Sequence, residues 1–199
     1  WMTLVEVEMK ASLRQHTKEG AFTYAGANRV EWIDKSIGPV SLCGSQIWWT
    51  WETEDAFRKV AAGNKYGMKE LLDAQLDQLI ALVKKIRQPL HDHMQRKINT
   101  LLIVDVHAKD IVDRFVRDSI LDAREFDWES QLRFAWEKQR DDILIKQCNG
   151  QFAFGYEYMG LNGRLVITAL TDRCYMTITT ALSYTLGAAP AGPAGTGKT

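Results

Sequence analysis

The run Gly192-Pro193-Ala194-Gly195-Thr196-Gly197-Lys198-Thr199 spells G-x-x-x-x-G-K-T, the pattern of a loop that cradles the phosphates of a nucleoside triphosphate. Small residues let consecutive backbone N–H groups curl around the phosphates. The lysine reaches the outer ones, and the threonine hydroxyl helps hold Mg²⁺. A helix following such a loop adds its positive end. A compositional reading competes: residues 188 to 197 are rich in Gly, Pro and Ala, and a flexible tail of that composition yields the same letters.

Other chemistry-bearing residues do not assemble into a site. In His91-x-His93 one intervening residue on a helix turns the imidazoles to different faces, and no third metal ligand is evident, so a solvated pair after Pro89 is expected. Cys43, Cys148 and Cys174 stand far apart without C-x-x-C spacing, which gives neither a disulfide framework nor a zinc site and fits a reducing compartment. No Ser/His/Asp or Cys/His arrangement emerges.

The elements that must position the loop are mainly helical. Trp1, Leu4, Val5 and Met9 recur at helical spacing, with an interruption near Gly38-Pro39. Trp48, Trp49 and Trp51 form either a core cluster, the expected reading, or an exposed partner surface. Met68, Leu71, Leu72, Leu76, Leu79, Ile80, Val83 and Ile86 draw an apolar stripe along one helix, which Pro89 stops. A second stripe runs through Ile98, Leu101, Leu102, Ile111, Val112, Phe115 and Val116, with Lys109, Asp110, Asp113, Arg114 and Arg117 as a solvated face.

Past Ser130 the period changes to two. Leu132, Phe134 and Trp136 alternate, as do Phe152, Phe154, Tyr156 and Tyr158, with Asn149-Gly150 as a turn between strands. Leu165-Val166-Ile167-Thr168 reads as a short buried strand or extended segment. Thr171 or Asp172 is expected to cap a helix running to about Leu186, ended by Gly187.

Composition sets outer bounds. The 199 residues are 46% hydrophobic and 25% charged, with 25 basic side chains balancing 25 acidic ones. That is ordinary for a globular chain and provides no global field toward nucleic acid or a membrane surface. No apolar run approaches a membrane span, and no signal-peptide pattern is present. Beginning at Trp1-Met2 and stopping on the loop's threonine, the sequence reads as an internal slice of a longer protein.

Several ordered motifs carry a family resemblance. They are Gln46-Ile47-Trp48-Trp49-Thr50, Asp105-Val106-His107-Ala108-Lys109-Asp110, residues 126–134 (Phe-Asp-Trp-Glu-Ser-Gln-Leu-Arg-Phe), Gly155-Tyr156-Glu157-Tyr158-Met159-Gly160, residues 164–175 beginning Arg-Leu-Val-Ile-Thr, and the terminal loop. In this order they closely resemble dynein heavy chains over at least residues 46 to 199. Trp48-Trp49-Thr50-Trp51-Glu52, Arg124-Glu125-Phe126-Asp127-Trp128 and residues 158–163 are similar to axonemal chains of inner-arm type.

The resemblance implies residues 1–150 as the carboxyl-terminal part of the linker, a helical bundle or rod with a short β-containing segment after it. Residues 151–199 are then the start of the first AAA+ module, an α/β P-loop domain cut at its phosphate loop. It implies ATP and Mg²⁺ as ligands at Gly192, Pro193, Ala194, Gly195, Thr196, Gly197, Lys198 and Thr199, with the Thr199 hydroxyl on the metal. Leu165, Val166, Ile167 and Thr168 become candidates for the adenine pocket, and the buried-strand reading of the same four stays open.

Ala169 replaces the family's usual proline, and Gly187-Ala188 stands where a glycine pair is usual, which bears on loop rigidity. The implied partners are microtubules, through regions outside these residues, and other dynein subunits, with no nucleic acid and no membrane. The implied location is the cytoplasm and cytoskeleton, in the axoneme of a cilium or flagellum. The expected activity is that of an ATP-driven, minus-end-directed motor in the parent, with the slice itself catalytically incomplete. Two alternatives are a helical interaction or lever module without nucleotide chemistry, and an unrelated P-loop NTPase such as a small kinase or GTPase. The latter usually places its loop after the first strand.

Overall fold

The computed structural model describes residues 1–158, 160 and 166–196. Helices come first: α1 (Met2–Tyr24), α2 (Arg29–Lys35), α3 (Gly38–Ala61), α4 (Gly67–Ile86) and α5 (Asp92–Asp118), then the single turn α6 (Phe126–Glu129). An antiparallel sheet follows, β1 (Arg133–Glu137), β2 (Asp142–Gln147) and β3 (Gly150–Ala153), in spatial order β1-β2-β3. Helix α7 (Ala169–Ser183) leads toward the glycine-rich run. The described part is therefore mostly helical with one small sheet, the class the sequence implies.

Local chemistry accounts for the helix boundaries. Asn28 Oδ1 accepts from the N–H groups of Val30 and Glu31 at 3.0 and 3.4 Å and starts α2. The expected interruption near Gly38-Pro39 is the break between α2 and α3, and proline suits the start of α3, since in the first turn it gives up only an N–H that has no helical partner. Helix α4 ends at Ile86, ahead of Pro89. His91 caps α5, its Nδ1 accepting from the His93 N–H at 3.4 Å. The two imidazoles stack, with centroids 5.3 Å apart, because His91 has extended backbone before the helix and is not turned away by helical geometry.

Three apolar clusters hold the helices together. One joins α3, α4, α5 and α6 through Phe57, Leu71, Phe115 and Trp128. A second joins α1, α3 and the sheet through Leu13, Ile47 and Ile143. The third joins α1, α2, α4 and α5 through Tyr24, Trp32, Leu82 and Leu101. Gly20 lets α1 lie close on α3, since a Cβ there would stand 2.3 Å from Val40 Cγ1. The neighbouring carbonyls are used as well: Trp32 Nε1 donates to Gly20 O at 2.9 Å and Trp48 Nε1 to Ala21 O at 2.7 Å.

The tryptophan-rich run divides residue by residue. Trp49 is buried against Trp128, Trp48 is half-buried, and Trp51 is half in solvent. The α4 stripe also differs from expectation. Leu76, Ile80 and Val83 are exposed, while the buried face runs Met68, Leu71, Gln75 and Leu82. The face is rotated by about one residue, because Gln75 and Gln78 turn toward a polar cleft.

Strand β1 falls where alternation predicts it, but the central strand β2 does not follow that rule. Its consecutive Ile143 and Leu144 are both buried, so it lacks period two. The turn into β3 is Cys148-Asn149, one residue earlier than expected. Gln147 pairs with Gly150, and a Cβ on Gly150 would lie 2.9 Å from the Phe152 ring. Strand β3 stops at Ala153, short of Tyr156 and Tyr158. Tyr156 takes φ +49°, and its hydroxyl donates to Asp142 Oδ1 at 2.5 Å.

The sheet is tied to the helices by polar contacts. Arg14 of α1 donates to the Asp141 carbonyl, and Lys18 Nζ lies 2.5 Å from Asp141 Oδ2. Thr50 Oγ1 on α3 accepts from the Phe134 N–H at 3.0 Å, satisfying a donor on the edge strand β1.

Candidate functional site

The segment toward the glycine-rich run begins at Val166, which is 72% exposed, and Ile167, half-buried, in irregular backbone. Neither forms a buried strand, which corrects that expectation for the described residues; Leu165 lies outside them. Thr168 has a definite local role. Its Oγ1 accepts from the Thr171 N–H at 3.4 Å, while Thr171 Oγ1 accepts from the Thr168 N–H at 2.8 Å. This reciprocal cap starts α7 at Ala169, so Thr168 and not Thr171 or Asp172 is the N-cap. Asp172 in the first turn complements the helix dipole.

The helix ends at Ser183, before Leu186, and Gly187 plays no part in ending it. Thr185 takes φ +59°. Its N–H donates to Leu182 O at 3.0 Å, and the Leu186 N–H donates to Ala181 O at 2.9 Å. That pair of bonds is the Schellman closure, with threonine where glycine is preferred.

Helix α7 buries none of its residues. Two polar contacts hold it to the body: Thr179 Oγ1 donates to Gln147 Oε1 of β2 at 2.8 Å, and His107 Nε2 of α5 lies 3.4 Å from Asp172 Oδ1. The chain then runs exposed and irregular to the phosphate-loop motif. Of that motif, Gly192, Pro193, Ala194, Gly195 and Thr196 are described, whereas Gly197, Lys198 and Thr199 lie outside the described residues.

The described half of the loop fits a phosphate cradle. Gly195 has φ +78°, and among the described residues beyond its chain neighbours no atom lies within 4 Å of where its Cβ would stand. Thr196 Oγ1 donates to Pro193 O at 2.8 Å, closing a tight turn. A left-handed residue in such a turn points successive N–H groups to one side, which is what an anion needs. Among the described residues, neither cavity noted here is lined by residues 166–168 or 192–196. The structure thus brings Val166, Ile167 and Thr168 to the start of α7.

A second polar centre, which motif reading missed, lies inside the helical body. Arg29 at the start of α2 places Nη2 at 2.8 and 2.6 Å from the two Asp105 oxygens, and Nη1 at 2.9 Å from Tyr24 Oη and 3.2 Å from Gln78 Oε1. The two side chains are only 12% and 13% exposed. Burial works against the Arg29 charge, and Asp105 with Tyr24 more than offsets it, so the guanidinium is held above its ordinary range. Burial pushes the Asp105 carboxyl up against the pull of Arg29. With two short contacts between them, the pair is ionic. The signal in the sequence was Asp105 itself, a carboxylate between Leu101, Val104 and Ala108 on the buried stripe of α5.

Comparison with known proteins bears on the loop. The family described as the hydrolytic ATP binding site of the dynein motor region matches residues 154–199, a span holding every residue of the phosphate motif and of the adenine candidates. Along the whole chain, identity is 65% to "Dynein-1-alpha heavy chain, flagellar inner arm I1 complex" of Chlamydomonas reinhardtii and 56% to "Dynein axonemal heavy chain 10" of Homo sapiens. It is 41% to "Dynein axonemal heavy chain 1" of Mus musculus. The chain is homologous to axonemal dynein heavy chains over its full length.

This dynein homologue spans about 4% of the length of those relatives. The match to the family of the dynein ATP-binding region covers its 46 residues from Phe154 to Thr199. The helices and β1–β3 precede that match, and α7 falls within it.

Proposed function

We propose that this chain is the junction, in an ATP-driven and minus-end-directed microtubule motor of the ciliary or flagellar axoneme, between the swinging linker and the first AAA+ module. Residues 1–150 are the linker's carboxyl-terminal part, and residues 151–199 open the module. The observation that carries this reading is the family match over residues 154–199 on a chain homologous to axonemal heavy chains throughout.

In this reading the backbone of Gly192–Thr196 and Gly197 wraps the phosphates of ATP. Lys198 offsets negative charge on the outer phosphates as it builds during phosphoryl transfer, and the Thr199 hydroxyl holds Mg²⁺. Leu165, Val166, Ile167 and Thr168 border the base. Mg²⁺ held there would supply positive charge against the phosphates. The His107–Asp172 and Thr179–Gln147 contacts support a coupling in which the position of α7 is transmitted to α5 and to the sheet. Microtubules and other dynein subunits are the partners of the whole motor.

The 199 residues alone bind nucleotide without turning it over. Hydrolysis needs a carboxylate to help hold the metal and a residue to orient water, and Asp172, the acid nearest the loop in sequence, is engaged with His107. The test is Lys198→Ala in a full-length heavy chain carrying this segment, read by microtubule gliding. Loss of ATP-driven gliding is expected, and normal gliding sinks the assignment. Phosphate release by the 199-residue chain, abolished by the same substitution, would overturn the incompleteness.

A further inference from the structure

Beside the Arg29–Asp105 pair, α3, α4 and α5 leave a cavity of about 20 Å³, lined among others by Arg29, Trp49, Glu52, Gln75 and Asp105. Its walls hold an unusual concentration of polar atoms with nothing to bond. Arg29 Nε, Trp49 Nε1, Gln75 Nε2 and Gln75 Oε1 are all buried without a hydrogen-bond partner. Gln75 is only 6% exposed, so neither end of its amide reaches bulk water. The Glu52 carboxylate faces the same space, and among the described residues no direct hydrogen bond to it occurs.

Buried polar atoms in folded proteins are paired with protein or ordered water in the great majority of cases. Three of the four orphans, Arg29 Nε, Trp49 Nε1 and Gln75 Oε1, can share a common partner. Of all four, three are N–H donors, which disfavours a cation. Two carboxylates, on Glu52 and Asp105, border the same space, which disfavours an anion. The partner must accept from N–H groups and donate to oxygens at once. A cavity of this size is large enough for one water, which needs roughly 10–15 Å³ and two to four polar partners.

We infer that this cavity is a built internal hydration site, in which an ordered water accepts from Trp49 Nε1 and Arg29 Nε and donates to Gln75 Oε1 and the Glu52 carboxylate. The site bridges α2, α3, α4 and α5 where their polar side chains converge. It also explains why α4 turns Gln75 inward while Leu76 is left outside.

A crystal structure of the 199-residue chain at a resolution that shows solvent, with a parallel bromide soak, tests this directly. A solvent peak within hydrogen-bond distance of Trp49 Nε1 and Gln75, without anomalous signal, is expected. An empty cavity, a Gln75 amide paired with protein, or a bromide peak overturns the inference. Gln75→Met is a second and independent reading, since it keeps the side-chain length and removes both amide atoms. If the water is present, the variant breaks a satisfied network, and the thermal midpoint falls by about 2–4 °C. If the cavity is dry, the substitution relieves an unpaired amide, and an unchanged or raised midpoint overturns the site.

Discussion

Arg29 and Asp105, 76 residues apart in sequence, meet through one guanidinium nitrogen that reaches both carboxylate oxygens at 2.8 and 2.6 Å. The same guanidinium bonds Tyr24 of α1, Ser45 of α3 and Gln78 of α4, so five helices close on a single side chain. Removing it leaves Asp105 charged and buried. Arg29→Ala is expected to lower unfolding stability by about 3–5 kcal/mol, measured by urea denaturation. The double replacement Arg29→Met with Asp105→Leu should recover most of that loss, because an apolar pair carries no desolvation cost. A single-variant loss below about 1 kcal/mol, the size of an exposed pair, would show that Asp105 finds water instead.

Glu52 gives a pH dependence of definite sign. Burial pushes its carboxyl above the ordinary 4.5, and Asp105 acts in the same direction, while Arg29 and Lys59 pull it down. The folded state then holds the proton more tightly than the unfolded chain. This contribution to stability is fully present below about pH 4.5 and is lost as pH rises through the higher folded value. Glu52→Gln removes that titration. Urea midpoints of the two proteins should therefore separate in favour of the glutamine variant as pH rises from 4.5 toward 7. Parallel profiles would show that Glu52 titrates normally.

The end of α7 offers a gain. Thr185 sits at φ +59°, where a side chain costs roughly 1–2 kcal/mol and glycine does not. Thr185→Gly keeps both closing backbone bonds and should strengthen the helix by about 1 kcal/mol, part of the relief being offset by glycine's greater unfolded-state freedom. Amide hydrogen exchange across residues 176–183 reads the effect locally. Faster exchange in the variant would mean that the threonine side chain itself secures the end.

Helix positions were the most legible part of the sequence, because apolar spacing and the prolines at 39 and 89 act locally. Which face each helix buries was less legible. On α4 the stripe pointed to Leu76, Ile80 and Val83, and the structure buries Gln75 and Leu82 instead. Gln75 turns toward a polar cavity whose other walls come from three other helices, which no local pattern contains. Strand β2 escaped for a similar reason: Ile143 and Leu144 are covered on both faces, so alternation vanishes. The phosphate loop was the reverse case. Its eight letters were clear in the sequence, and the structure adds the left-handed turn at Gly195 and the cap at Thr168. Val166, Ile167 and Thr168 line neither of the two cavities described above.

The edge-to-face contact of Trp49 with Trp128, centroids 5.3 Å apart, has an optical consequence. One indole belongs to the long helix α3 and the other to the single turn that precedes the sheet. Both are buried, beside Phe57 and Phe115. Any motion that parts the helices from the sheet alters the polarity around two adjacent chromophores, so the chain carries an intrinsic fluorescence gauge at the joint where its helical body gives way to strands.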